Sequence, residues 1–281
     1  MKKYAVVTTA NEKIYKDYGK ENIETFLKYW PKEIKIHVFL EDYKDNDFRN
    51  ERLVFYDLHK SIPELLDLKI RNASKRETQI IHQNKKILES VKSKPHKDKS
   101  YLFDYVRFAN KGYVIIYGLQ NIMADYLIWL DMDVKTIKEI PYSFLEKICP
   151  NDCLVSFLKR KIYTETGFLA FNRNHPRIKE YISIVKDIYN NDRIYTIDYF
   201  QSGYTDCHVF DYAINKIMSN GNVKLNNLNV FNDEGHPFIN SELGIYMDHF
   251  KGERRKRTKR SDPSEIRNKM ILSSNPEYWK K

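Results

Sequence analysis

The segment Tyr126-Leu127-Ile128-Trp129-Leu130 constrains this chain most, because five consecutive apolar residues stop abruptly at Asp131-Met132-Asp133. A strand buried on one face alternates apolar and polar residues. An unbroken apolar run belongs to a strand covered on both faces, as in a sheet flanked by helices. Two aspartates one residue apart on such a strand would project to the same side and repel each other. A turn at Met132 instead lets both carboxylates reach a common point beyond the strand, where a divalent cation would remove the repulsion. Oxygen-rich ligation of this kind suits Mg2+ or Mn2+. The carboxyl ends of strands in open α/β sheets are also where ligands bind.

The surrounding pattern supplies the rest of an α/β fold. Residues 4–9 form a short apolar strand, residues 22–29 a helix that stops at Pro31, and residues 34–40 an alternating strand, with a third strand at 53–56. This β-α-β rhythm predicts a parallel sheet beginning near residue 4. Leu102, Val106, Ala109, Tyr113 and Ile116 recur at steps of four and three, one apolar stripe of a helix. A strand is expected at 167–171, helices at 176–189 and from Val209, and short strands at 223–225, 228–231 and 243–247. The polar, helix-prone stretch at about 60–98 is expected to be a helical insertion packed loosely on the side. No repeat or linker divides the chain, so one domain over 1–252 is expected, with a basic C-terminal tail over 253–281.

The chain has 281 residues, 42% hydrophobic and 31% charged, which is enough apolar sequence for a sizeable core and excludes a disordered or collagenous chain. No apolar run approaches the roughly 20 residues that span a bilayer, and the first apolar stretch is too short for a signal-peptide core. Cys149, Cys153 and Cys207 cannot all pair within one chain, so reduced thiols in a cytoplasmic compartment are expected. Lys and Arg total 48 against 38 Asp and Glu, a net charge of +10 that attracts anions. Seven of the ten residues 251–260 are Lys or Arg. That cluster points to an anionic acceptor or surface: an acidic glycan, nucleic acid, or a membrane bearing an acidic lipid-linked glycan.

The apolar run with Asp131-Met132-Asp133, preceded by a helix carrying Tyr105-Val106-Arg107-Phe108, resembles a nucleotide-sugar glycosyltransferase of the GT-A fold. It is most similar to the glycogenin and lipopolysaccharide galactosyltransferase group. The resemblance implies a single Rossmann-like GT-A domain with a mostly parallel mixed sheet, holding a nucleoside-diphosphate sugar. It further implies that Asp131 and Asp133 bind Mn2+ or Mg2+, that Asp131 also contacts the donor, and that the anomeric configuration is retained. The group's late His-x-x-Gly motif is matched by His249-Phe250-Lys251-Gly252. By resemblance His249 is a third metal ligand, Gly252 lets backbone approach the diphosphate, and a following cation such as Arg255 contacts it. The group's Lys-Pro-Trp ending is missing, and Asp248 offers a rival carboxylate beside His249.

The same resemblance places Arg107 against the donor's phosphate or sugar, and Thr8 and Thr9 at the base and ribose, with Tyr15 or Tyr18 stacking on the base. Residues 164–172 are similar to the acceptor-side segment. Glu165 would meet sugar hydroxyls or activate the acceptor there, and Gly167 would allow close backbone approach. Asp206, at a helix start, would face the anomeric carbon, while Asp211, on one face with His208 and Asn215, is expected at solvent. The implied reaction moves a sugar from a nucleoside diphosphate to a hydroxyl acceptor. Two other classes stay open. A nucleotidyltransferase also uses paired aspartates, but usually with a Gly-rich phosphate loop, and this chain has no glycine before Gly19. A nucleic-acid-binding or DNA-modifying protein would use the basic C-terminal cluster.

Overall fold

The structure, a computed structural model, describes residues 2–73, 100–230, 235–251 and 258–279. Its centre is a seven-stranded mixed sheet in the order β3-β2-β1-β4-β7-β6-β8. Strand β1 (Tyr4–Asn11) pairs in parallel with β2 (Lys35–Glu41), and β2 with β3 (Leu53–Asp57). On its other side β1 pairs in parallel with β4 (Tyr126–Leu130). The direction then reverses: β7 (Glu165–Asn172) runs antiparallel to β4, and β6 (Val155–Leu158) antiparallel to β7. A two-residue β8 (Asn226–Asn227) closes the edge against β6.

All five residues of β4 are buried, as the apolar run requires. Their side chains divide with period two between two cores. Leu127 and Trp129 enter one core with Val7, Leu169 and Phe171, while Tyr126, Ile128 and Leu130 enter the other with Val6, Phe168 and Ala170. Helix α1 (Lys20–Tyr29) covers the second layer, together with α3 (Tyr142–Ile148). Helices α2 (Tyr105–Asn121), α4 (Ile178–Asn190) and α5 (Asp206–Ser219) cover the first. Helix α2 starts where the Asp104 side chain accepts from the Arg107 amide, an N-cap that satisfies one of the orphan donors. Gly118 lets this helix lie hard on β4, since a Cβ there would sit 2.7 Å from the Leu127 side chain.

A second, two-stranded sheet pairs β5 (Val134–Thr136) antiparallel with β9 (Met247–His249), with Val134 opposite His249. Neither strand is long enough to show a period in the sequence. The expected strand at 243–247 is instead a 3-10 turn over Glu242–Ile245 followed by β9. The one expected at 223–225 is displaced to β8, and residues 228–230 lie outside any strand.

Two larger expectations change. Residues 63–73 of the insertion are helical, and Leu65 and Leu68 are fully buried in the first core, so this part is packed firmly. The remainder, 74–99, lies outside the described residues. Residues 258–279 do not extend as a tail. They fold back onto the second layer, burying Ile266, Ile271 and Trp279. The Asn275 amide donates to the Ile137 carbonyl at 3.0 Å and Lys138 to the Ser274 carbonyl at 3.2 Å. Apolar residues spaced among the charges supply the driving force that the net charge conceals.

Candidate active site

Where β4 ends, the chain turns as its two aspartates demand. The Asp131 amide donates to the Gly167 carbonyl, and the Val134 amide returns to the Asp131 carbonyl, each at 3.0 Å. Asn22 of α1 donates to the Met132 carbonyl at 2.6 Å, fixing the turn from below. The pairing of β5 with β9 then delivers His249 to the same point. Its Nε2 lies 3.2 Å from Asp133 Oδ1 and 3.7 Å from Asp131 Oδ2. One ligand atom from each of the three residues falls within 4.8 Å of the others. Two carboxylates and an imidazole fit a divalent cation of the Mn2+ class. The Glu165 carboxylate lies behind the imidazole, with Oε1 3.7 Å from Nδ1, beyond hydrogen-bond reach but close enough to act on it through charge.

Asp248 does not compete for this position. It is buried, and its Oδ2 accepts from the Ser261 amide at 2.8 Å and the Tyr278 hydroxyl at 2.7 Å. Alternation along β9 sends neighbouring side chains to opposite faces, so the C-terminal segment takes Asp248 while the cavity takes His249.

Gly167 has a different task from the expected approach to a ligand. A Cβ on it would lie 2.4 Å from His249 Cε1 and 2.6 Å from Nδ1, so the missing side chain is the space the imidazole occupies. Glu165 beside it is buried with both oxygens engaged. Oε1 accepts from the Gly167 amide, and Oε2 from Arg160 at 2.6 Å and from Lys251. Burial alone would raise its pKa, but Lys251, His249 and Arg160 outweigh that and hold it well below the usual carboxylate range.

Asp206 opens α5. Its Oδ2 accepts from Thr166 Oγ1 at 2.5 Å and pairs with Lys111 Nζ at 2.6 Å. Asp211 is not at solvent: it accepts from the Thr164 amide at 3.0 Å and from the Thr164 hydroxyl, while His208 is 1% exposed. Of the helical face expected at water, His208 and Asp211 pack beside the start of β7, while Asn215 is exposed as expected. Burial raises the Asp211 pKa despite those bonds.

Lys111 was not singled out in the sequence. It lies one turn beyond Arg107 on α2, beneath the apolar stripe that dominates the helix pattern. Its Nζ is 2.7 Å from Asp131 Oδ1 and 5.2 Å from the centre of the Trp129 ring. Burial would discharge it, but Asp131 and Asp206 prevail and raise its pKa. The spacing of Arg107 and Lys111, four residues apart and so on one helix face, was the available signal.

These groups line a cavity of about 730 Å3 at the carboxyl ends of β1 and β4. Arg107 stands exposed at its edge, and Tyr18 forms part of its wall against Phe250. Tyr15 is withdrawn: it is 1% exposed and its hydroxyl donates to Asp45. Thr9 reaches the cavity with its hydroxyl committed to the Phe39 carbonyl at 2.8 Å. Thr8 is buried, facing a much smaller recess of about 20 Å3 behind the aspartate turn. Gly252 and Arg255 lie outside the described residues. The three cysteines are free thiols, with Cys207 in the cavity wall. Among the described residues, no helix is long and apolar enough to cross a membrane.

No protein-family model and no curated protein matches this chain. Among solved structures it is similar to mouse xyloside xylosyltransferase 1, at 10% identity and a TM-score of 0.46, over 84% of this chain and 91% of that one. It is also similar to the glycosyltransferase GlyE of Streptococcus pneumoniae, at 11% identity and TM-score 0.43, over 81% of this chain and 45% of that one. The mannosyltransferase Ktr4p of S. cerevisiae aligns at 11% identity and TM-score 0.47, over 75% of this chain and 65% of that one.

Proposed function

We propose that this chain is a metal-dependent glycosyltransferase that moves a sugar from a nucleoside diphosphate to a hydroxyl acceptor. The observation that carries the reading is the convergence of Asp131, Asp133 and His249 on one point of a large cavity at the carboxyl ends of parallel strands. A cavity at the carboxyl ends of strands in an open α/β sheet, lined by convergent charged groups, is the usual place for a polar ligand.

Asp131, Asp133 and His249 would hold Mn2+ or Mg2+, which when bound supplies charge stabilisation for a diphosphate leaving group. The chain's own residues do the rest. Arg107, at the cavity edge, offers a planar guanidinium to phosphate oxygens. Lys251 and Arg160 present a cationic wall, fixed in place because both are pinned to Glu165. Fixed charges stabilise developing charge without reorganising at the moment of reaction. With both its oxygens engaged, Glu165 acts as an anchor for these groups and leaves proton transfer to another residue. Asp206 is the carboxylate we place beside the reacting sugar, since its Oδ2 is fixed by Thr166 and Lys111 while Oδ1 has no hydrogen bond to a described residue. The basic character of the chain supports an anionic acceptor.

Thermal unfolding with a panel of nucleoside diphosphates, with and without Mn2+, tests the reading. A ligand that binds only the folded chain raises the midpoint by mass action, about 2.7 kcal/mol of stabilisation at a hundred times its Kd. The expected result is a shift that needs both a nucleoside diphosphate and Mn2+ and disappears in Asp133→Ala. Absence of any nucleotide-dependent shift in the unaltered chain overturns the proposal.

A further inference from the structure

We propose that Lys111 takes the place of a second cation, joining Asp131 to Asp206 as a metal ion would, limiting the cluster to one divalent ion and loosening that ion's hold. The proposal rests on the metal site described above and concerns what surrounds it.

An ammonium has three N–H donors and no acceptor. Lys111 Nζ has four acceptors around it: Asp131 Oδ1 at 2.7 Å, Asp206 Oδ2 at 2.6 Å, and the Thr166 carbonyl and hydroxyl at 3.1 and 3.3 Å. Its donors are therefore committed within the protein and are not spare for a ligand's phosphate. Trp129 supports the same arrangement twice, with its ring face near the ammonium and its Nε1 donating to Asp131 Oδ1 at 2.8 Å. The Asp131 carboxylate is thereby divided. Oδ1 belongs to Lys111, while Oδ2 faces His249 in the three-residue cluster.

A carboxylate shared between two cations is the geometry of two-metal sites, whose ions lie roughly 3.5–4 Å apart. Here the second position holds a side chain, 13% exposed, on the rigid helix α2. Two consequences follow from charge alone. A fixed positive charge beside a metal-binding carboxylate opposes the incoming ion. Asp206 is also neutralised and tied to Thr166, which keeps it out of the metal's shell and leaves it at the helix mouth. Without Lys111, three carboxylates would face one another across the site, and the protein would relieve that by drawing in more divalent charge.

The test is a titration of the full chain with Mn2+ alone, following free Mn2+ by its paramagnetic resonance and total binding by calorimetry. The unaltered chain is expected to bind one ion. Lys111→Met should bind Mn2+ on the order of tenfold tighter, or take up a second ion. Lys111→Gln should do the same, and it serves as the reading if the methionine variant fails to fold. Asp206→Asn should change affinity by no more than about twofold with Lys111 present, but by about tenfold or more in the Lys111→Met background, where Asp206 is free to bind the ion. A lysine that only supports the fold would give equal or weaker binding and no second ion when removed, and that result overturns the proposal, as do two ions in the unaltered chain. If the unaltered chain binds no Mn2+, the metal site itself falls; if it binds one and Lys111→Met neither binds it tighter nor takes up a second, only the role of Lys111 falls.

Discussion

At Gly167 a side chain is absent because a ring is present: the His249 imidazole fills the space where a Cβ would be. Gly167→Ala should therefore cost about 1–3 kcal/mol of stability from overpacking, and should weaken Mn2+ binding by at least about tenfold as the ring leaves its position. Denaturant melts paired with Mn2+ titration check this, and a variant that keeps its metal affinity contradicts it. The residue scale is where the sequence was most and least informative. Asp131 and Asp133 were legible because a costly pair of like charges at the end of an apolar run needs an explanation. Lys111 and Arg160 were not, because a single cation in a charged sequence looks like surface until its partners, distant in sequence, are brought to it. Asp211 was misplaced for the complementary reason: its bonds are to Thr164, just before β7, and a helical face shows only its own neighbours.

Elements with a clear period were read correctly, and those too short to have one were missed. Strands β1, β4 and β7 and helices α2, α4 and α5 carry enough residues for alternation or a stripe to register. Strands β5 and β9, three residues each, form because the aspartate turn and the chain after residue 245 place them side by side. The C-terminal segment shows the same limit, since its charge density hid apolar residues at Ile266, Ile271 and Trp279. Its contribution is measurable. Ile271→Ala should destabilise by about 2–5 kcal/mol through the cavity it leaves. Tyr278→Phe should cost about 1.5–3 kcal/mol by removing a hydrogen bond to the buried Asp248 carboxylate. Urea unfolding of the two variants distinguishes a packed segment from a solvated tail, for which both changes would be near zero.

For the molecule as a whole, acid is the condition to which its buried histidines are sensitive. Burial, with Lys35 nearby, lowers His37 to about 4, and burial lowers His208 to about 4 against a smaller opposing pull from Asp206. Both remain neutral in the folded chain while an unfolded chain takes up protons near pH 6.5. The stability they contribute is complete above about 6.5 and is lost as pH falls towards about 4, on the order of a few kcal/mol for the pair. Urea midpoints across that range should fall for the unaltered chain and fall less for His37→Phe; equal slopes would contradict the assignment. The β5–β9 pairing also sets an order on events during synthesis. Asp131 and Asp133 leave the ribosome more than a hundred residues before His249, and the segment that fixes Asp248 leaves later still. A chain interrupted anywhere between them carries both aspartates without His249. On the proposed reading, the cation site is therefore completed only once the chain has been made through His249.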